Sequence, residues 1–261
     1  MTSELFSLEG RTALITGGSR GIGKTIAAGY LAHGAKVYIS SRKAAACDEA
    51  AADLSKRGGM CLSLPQDVST VEGCRALAAA YGEREPKLDI LVNNAGAAWA
   101  APFDEFPESG WDKVMNLNLK SPFFLTQAMA APLRASARAA RPAKVINVAS
   151  IDGLRLNPLE TYSYHASKAG LVHLTRRMAA KLIHDNVVVS GIAPGAFATE
   201  LNREARDRGD VVAARIPSRR IGTDEDIQGV AIYLASRAGD YVVGSTITVD
   251  GGLVFADISG V

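Results

Sequence analysis

Thr12-Ala13-Leu14-Ile15-Thr16-Gly17-Gly18-Ser19-Arg20-Gly21-Ile22-Gly23 is the stretch whose reading decides the fold. Residues 12–16 form a short apolar run, which reads as a strand buried on both faces. The glycines after it permit a tight turn and let backbone N–H groups approach a ligand. Residues 22–33 then carry a helical pattern. A strand, a glycine turn and a helix N-terminus together favour bound negative charge, because free N–H groups and the helix dipole point at it. Gly17, Ser19, Arg20, Gly21, Ile22 and Gly23 are therefore the candidate contacts to a dinucleotide pyrophosphate. The spacing is GxxxGxG rather than the commoner GxGxxG. A glycine cluster at such a turn also has a purely structural reading, and its place after the first strand of an α/β chain favours the phosphate.

The same alternation continues outward. Further apolar runs fall at residues 36–40, 60–64, 88–92, 144–149, 187–192 and 245–249, with helical patterns between them such as 44–56 and 161–184. Alternating β and α elements predict a doubly wound Rossmann-type fold, a seven-stranded parallel sheet with helices on both faces. No Pro/Gly-rich linker, repeat or low-complexity tract interrupts it, so residues 1–261 read as a single domain.

Composition bounds the function. The 261 residues are 48% hydrophobic and 21% charged, an ordinary globular balance. A net charge of +2 implies neither nucleic-acid nor membrane binding. No run of about 18 apolar residues predicts a membrane span. Cys47, Cys61 and Cys74 are odd in number and lack CxxC spacing, so they read as reduced structural thiols of a cytoplasmic protein. His33, His165, His173 and His184 form no ligand pattern, and no metal is expected. Arg134, Arg138 and Arg141 precede the fifth strand, where a charge block ordinarily marks a solvated surface.

The end of the second strand meets the adenosine ribose in this architecture. A carboxylate there would bond the 2′-hydroxyl and select NAD. This chain has Ser41-Arg42 instead, and an arginine accepts a 2′-phosphate that a carboxylate would repel. The expected cofactor is NADP(H), with Arg20 as a second cation for that phosphate.

Tyr164-His165-Ala166-Ser167-Lys168 follows Ser150 by fourteen residues. Tyr164 and Lys168 lie on one face of a helix. A free phenol titrates near 10, and a nearby ammonium would lower that value and make a usable general acid–base. Such pairs also decorate ordinary helix surfaces, so the surrounding motifs decide the reading.

Those motifs resemble the short-chain dehydrogenase/reductases from about Leu8 to Leu253. TGGSRGIG at residues 16–23, Asn93-Asn94-Ala95-Gly96, Ser150, Tyr164xxxLys168, and Pro194-Gly195 before Thr199 stand in the family's order. Within the family the chain is similar to 3-oxoacyl (β-ketoacyl) reductases, including those associated with rhamnolipid synthesis. The likeness lies in residues 6–23, the arginine-bearing insertion and the RIGTDEDI segment at 220–227. The resemblance implies that Asp67 and Val68 meet the adenine, that Asn94, Ala95 and Gly96 form the floor under the ribose, and that Ile192, Pro194, Gly195 and Thr199 hold the nicotinamide. It implies catalysis by Asn118, Ser150, Tyr164 and Lys168. Ser150 would polarise a ketone and Tyr164 would protonate it. Lys168 would tune the phenol and hold the cofactor, and Asn118 would position a relay water. Asn116 and Tyr162 are near-matches to two of these positions. The separation of Ser150 from Tyr164 is one residue longer than the family's usual one.

The implied activity is reduction of a 3-oxoacyl thioester by NADPH, with the substrate presented on acyl carrier protein or CoA. Arg134, Arg138, Arg141, Arg203 and Arg206 are candidates for a basic entrance, and residues 197–217 read as a lid or a surface helix. The family also implies a homotetramer. Two alternatives remain open: a dehydrogenase for another secondary alcohol (sugar, polyol or steroid), and a catalytically silent NADP-binding regulator.

Overall fold

The structure, a computed structural model, describes residues 2–56 and 58–257. A short helix α1 (Thr2–Leu5) precedes β1 (Thr12–Thr16), α2 (Gly21–Ala32), β2 (Lys36–Ser40), α3 (Ala44–Lys56), β3 (Cys61–Ser63) and α4 (Val71–Gly82). The second half runs β4 (Ile90–Asn93), α5 (Glu108–Met115), a π-turn at Asn116–Lys120, α6 (Ser121–Ala128), α7 (Ala130–Ser136), β5 (Ala143–Val148) and α8 (Tyr162–Leu182). It closes with β6 (Val187–Pro194), α9 (Arg203–Asp207), α10 (Gly209–Ala213), α11 (Asp224–Ala235) and β7 (Thr246–Val249).

All seven strands pair in parallel in the order β3-β2-β1-β4-β5-β6-β7, the doubly wound sheet that the alternation predicts. β1, β2 and α3 fall on their expected bounds. β6 runs two residues further, through Pro194, whose missing N–H is harmless as the final residue of a strand. Side chains alternate across the sheet. Ala13 and Ile15 enter one core with α2, α3 and α11, while Leu14 enters the other with α4, α6 and α8. Burial on both faces is why the strands read as continuous apolar runs.

Strand order reverses between β1 and β4, and ligands of such sheets sit beyond the carboxyl strand ends at that switch point. Arg134, Arg138 and Arg141 lie at the opposite end. Arg134 pairs with Asp185 just before β6, and Arg141 donates to the Gly10 carbonyl just before β1. The sheet thus rules them out as a basic entrance to the catalytic end. Among the described residues, no helix is long and apolar enough to cross a membrane, and no group of three or more His, Cys, Asp or Glu is placed to hold a metal ion.

Candidate active site

The glycine turn and the loop after β4 interlock across the switch point. Gly17 adopts φ +65°, and a Cβ there would stand 2.8 Å from Asn94 Nδ2. That amide donates to the Thr16 carbonyl at 2.8 Å, and Thr16 Oγ1 accepts from the N–H groups of Asn94 and Ala95 at 3.1 Å each. Asn94 therefore ties β1 to β4, a structural duty beside its expected place under the ribose. At the head of α2, Arg20 is extended and makes no side-chain cap, which leaves first-turn N–H groups open towards a phosphate. The guanidinium of Arg20 is itself paired with Glu200, which follows Thr199. Gly21 faces Thr199, whose side chain lies 3.6 Å from where a Gly21 Cβ would stand.

At the adenosine end, Arg42, Ser69, Thr70, Gly96, Lys113 and Asn116 line a cavity of about 370 Å³. Asp67 Oδ1 accepts from the Ser69 N–H at 2.9 Å, and Val68 is buried beside it. No carboxylate lies between Ser40 and Lys43, while Arg42 faces the cavity. A bare glycine cradle, an uncapped helix head and a cation at the β2 end fit a phosphorylated dinucleotide.

The catalytic candidates converge past the end of β5. Ser150 Oγ accepts the Asp152 N–H at 3.1 Å, and its own proton is directed to the Tyr164 oxygen. Lys168 is 3% exposed and reaches from α8 to the Val148 carbonyl at 2.7 Å. Its Nζ lies 5.6 Å from the Tyr164 ring centroid. A Cβ at Gly96 would stand 3.4 Å from Asn118 Oδ1 and 3.8 Å from Lys168 Nζ, so the ribose floor, the π-turn and α8 meet at one point. π-turns of this kind frequently mark functional sites.

The phenol departs from expectation. Burial pushes Tyr164 up to about 12, partly opposed by a hydrogen bond with Ser150 and reinforced by the charge of Asp152. Burial also pulls Lys168 down to about 8, with Asp152 opposing. Desolvation of both groups outweighs the anticipated lowering of the phenol.

Asn118 has a structural duty beside the expected one. Its Oδ1 accepts from the Ala97 N–H at 2.9 Å, while Nδ2 donates to the Ala97 carbonyl at 2.9 Å and to Ser167 Oγ at 3.1 Å. The amide clamps the loop after β4 onto α8, leaving one Oδ1 lone pair for any water.

A family model described as enoyl-(acyl carrier protein) reductase matches residues 17–254. The rhamnolipids biosynthesis 3-oxoacyl-(acyl-carrier-protein) reductase of Pseudomonas aeruginosa is 45% identical over 250 residues, covering 95% of this chain and 97% of that one. The chain belongs to the short-chain dehydrogenase/reductase family. It is an oxidoreductase. Among solved structures, this short-chain dehydrogenase/reductase is similar to the Pseudomonas aeruginosa RhlG/NADP active-site complex, with TM-score 0.93 and 44% identity over 97% of this chain and 99% of that one. It is also similar to a gluconate 5-dehydrogenase from Burkholderia cenocepacia in complex with NADP and tartrate, with TM-score 0.91 and 36% identity over 98% and 100%. A 2-dehydro-3-deoxy-D-gluconate 5-dehydrogenase of Dickeya dadantii is 38% identical over 97% of this chain and 98% of that one.

Elsewhere in this short-chain dehydrogenase/reductase, some expectations shift. Ile192 is fully buried in the core, and its carbonyl accepts the Ala149 N–H at 2.7 Å, so it is a sheet residue and not a nicotinamide contact. Pro194 ends β6, and the Gly195 N–H donates to Val249 at 2.9 Å. Trp99 packs against Gly110 and lies under Lys113. Tyr162 donates to Glu160 and meets Phe103 and Phe106 edge-on, as part of the wall. Residues 203–213 form the two short helices α9 and α10, with Arg206 paired to Asp207. Ser167 and Asp152 were missed by motif reading. Ser167 carried a faint signal in standing beside Lys168, and Asp152 carried none.

Proposed function

We propose that this protein reduces a 3-oxoacyl thioester to its 3-hydroxyacyl form with NADPH. The observation that carries the reading is the meeting of Ser150, Tyr164 and Lys168 past β5, with Lys168 Nζ near Gly96, at the strand ends where the glycine cradle and Arg42 also lie. Bound NADPH supplies the hydride. Gly17, Ser19, Gly21, Ile22 and Gly23 hold the pyrophosphate, and Ser41 and Arg42, with Arg20 once it leaves Glu200, hold the 2′-phosphate. Asp67 and Val68 flank the adenine, and Asn94, Ala95 and Gly96 underlie the ribose. Pro194, Gly195 and Thr199 border the nicotinamide.

Ser150 turns its proton from Tyr164 to the substrate carbonyl oxygen when substrate binds. Tyr164, held near 12, is fully protonated at neutral pH and thus loaded as the acid that a reduction needs. Lys168 is charged below about pH 8, so it opposes the negative charge left on the phenol and grips the nicotinamide ribose. Asn118 holds the floor and α8 in register.

Similarity to the rhamnolipids biosynthesis reductase supports the thioester. Similarity to gluconate 5-dehydrogenases supports a second reading, a sugar-acid dehydrogenase. Presentation on acyl carrier protein or CoA, a cytoplasmic location and a homotetramer complete the proposal. Exposed Phe123, Tyr241 and Phe255 are apolar surface for such an assembly, and all three cysteines are free and buried.

The test follows NADPH oxidation with 3-oxoacyl thioesters and with 5-keto-D-gluconate. The thioester should win. Tyr164→Phe should lose about 10²–10⁴-fold in kcat while still binding NADPH. Preference for the sugar acid would replace the substrate reading, and a Phe variant with near-normal turnover would remove Tyr164 from the chemistry.

A further inference from the structure

The roles above leave the loop between Ser150 and Tyr164 unassigned. Its first turn, Ile151–Gly153, is a single turn of 3₁₀ helix pressed onto α8, where a Cβ on Gly153 would lie 2.6 Å from the Lys168 carbonyl carbon. Asp152 stands in that turn, tethered through its N–H to Ser150 Oγ. Its charge resists ionisation of Tyr164 and favours protonated Lys168, which puts the carboxylate within electrostatic reach of both. Among the described residues, the Asp152 carboxylate has no hydrogen bond or ion pair. It is a half-buried carboxylate two residues from Ser150, balanced only at a distance by the Lys168 ammonium.

Beyond it the loop turns apolar. Leu154, Leu156 and Leu159 are 39%, 81% and 59% exposed. Three exposed leucines within six residues are a patch rather than scatter. The loop presenting them is anchored at both ends. Arg155 donates to the Leu253 carbonyl at 2.5 Å and pairs with Asp257 at 3.3 Å. Glu160 accepts from the Phe103 N–H at 3.2 Å and from the Tyr162 hydroxyl at 2.7 Å.

We infer that this loop selects substrate charge: the Asp152 carboxylate rejects ketones that carry their own carboxylate, and the leucines receive the neutral acyl chain of a 3-oxoacyl thioester. The inference rests on the reductase reading above. Two negative charges in a partly desolvated pocket repel by an amount that exceeds thermal energy at separations of several ångströms. A neutral ester or thioester escapes that cost. An acyl chain laid along the leucines removes apolar surface from water on both sides.

Acetoacetate and ethyl acetoacetate form a matched pair that differs in charge and in the ester's ethyl group. The wild-type enzyme should prefer the ester. Asp152→Asn keeps the side-chain volume and the N–H bond to Ser150, and it should raise the acid-to-ester ratio of kcat/KM about tenfold. A merely structural role would lower both activities together and leave the ratio unchanged, and that result overturns charge selection. Leu156→Ser with Leu159→Ser should reduce the preference for a ten-carbon over a four-carbon 3-oxoacyl thioester by about 3–10-fold. An unchanged chain-length preference overturns the acyl contact. If the wild type reduces 5-keto-D-gluconate and no 3-oxoacyl ester or thioester, the substrate reading and this inference fail together. An unmoved ratio in an enzyme active on thioesters sinks the inference alone.

Discussion

Replacing Gly153 by alanine would drive a methyl group into the backbone of α8. The new Cβ would lie 2.6 Å from the Lys168 carbonyl carbon, 2.7 Å from its oxygen and 2.8 Å from the Ala169 nitrogen. Ordinary contact begins at 3.4 Å, so something must give by about 0.8 Å. The helix is the stiffer partner, being 21 residues long and held to β5 by the Lys168–Val148 hydrogen bond. The 3₁₀ turn must therefore retreat, and it carries Asp152, whose N–H holds Ser150 Oγ at 3.1 Å. Overpacking of this kind costs about 1–3 kcal/mol. In a chain this size that lowers Tm by about 5 °C. Displacing a reacting group by about 1 Å costs about 10²-fold in rate, so kcat should fall by that order. The dissociation constant of NADPH should change less, since most of its contacts lie elsewhere. NADPH oxidation with a 3-oxoacyl thioester reads kcat, fluorescence titration reads cofactor binding, and calorimetry reads Tm. A lowered Tm with wild-type kcat would refute the mechanical link between the turn and Ser150. A variant unchanged in both would refute the contact itself.

Two further outcomes follow from the site. Arg42→Ala removes a charge-assisted bond to the 2′-phosphate, worth about 1.5–3 kcal/mol, and should raise KM for NADPH about 10–100-fold while sparing NADH; a parallel rise for both would argue that Arg42 does not read that phosphate. Lys168 titrates near 8 in the folded protein against 10.5 for an ordinary lysine, so as pH rises the folded protein loses this proton first while the unfolded chain still holds it. Its burial therefore destabilises fully below pH 8, and the penalty fades as pH climbs towards 10.5. Between pH 7.5 and 10, the unfolding free energy should rise by about 2 kcal/mol relative to Lys168→Met; urea titrations at the two pH values test this, and a flat difference would mean the ammonium is not desolvated.

Periodicity carried most of the fold. Strands buried on both faces must be apolar at every position, and helices must repeat near 3.6, so β1, β2 and α3 could be bounded from composition along the chain. The glycine turn was legible because few residues adopt φ +65° where Asn94 presses close. Ser150, Tyr164 and Lys168 were legible through spacing and family order, and the fold does bring them together. What the linear chain withheld were matters of distance and dielectric. Arg134, Arg138 and Arg141 read as a solvated surface block with a basic entrance as the alternative, and only the sheet placed them at its other end. Asn118 was expected to position a water, and only the fold shows that its amide also bonds Ala97 and Ser167. The Tyr164 phenol was expected to drop beside Lys168, and burial raises it because desolvation depends on all neighbours at once, which no local spacing encodes. Sequence by itself determined the strand order's raw material, the catalytic residue types and the absence of an acid at the β2 end. Tertiary structure alone decided which charges stay unpaired, and so left the Asp152 carboxylate without a hydrogen bond or ion pair among the described residues, in the turn whose N–H holds Ser150 Oγ.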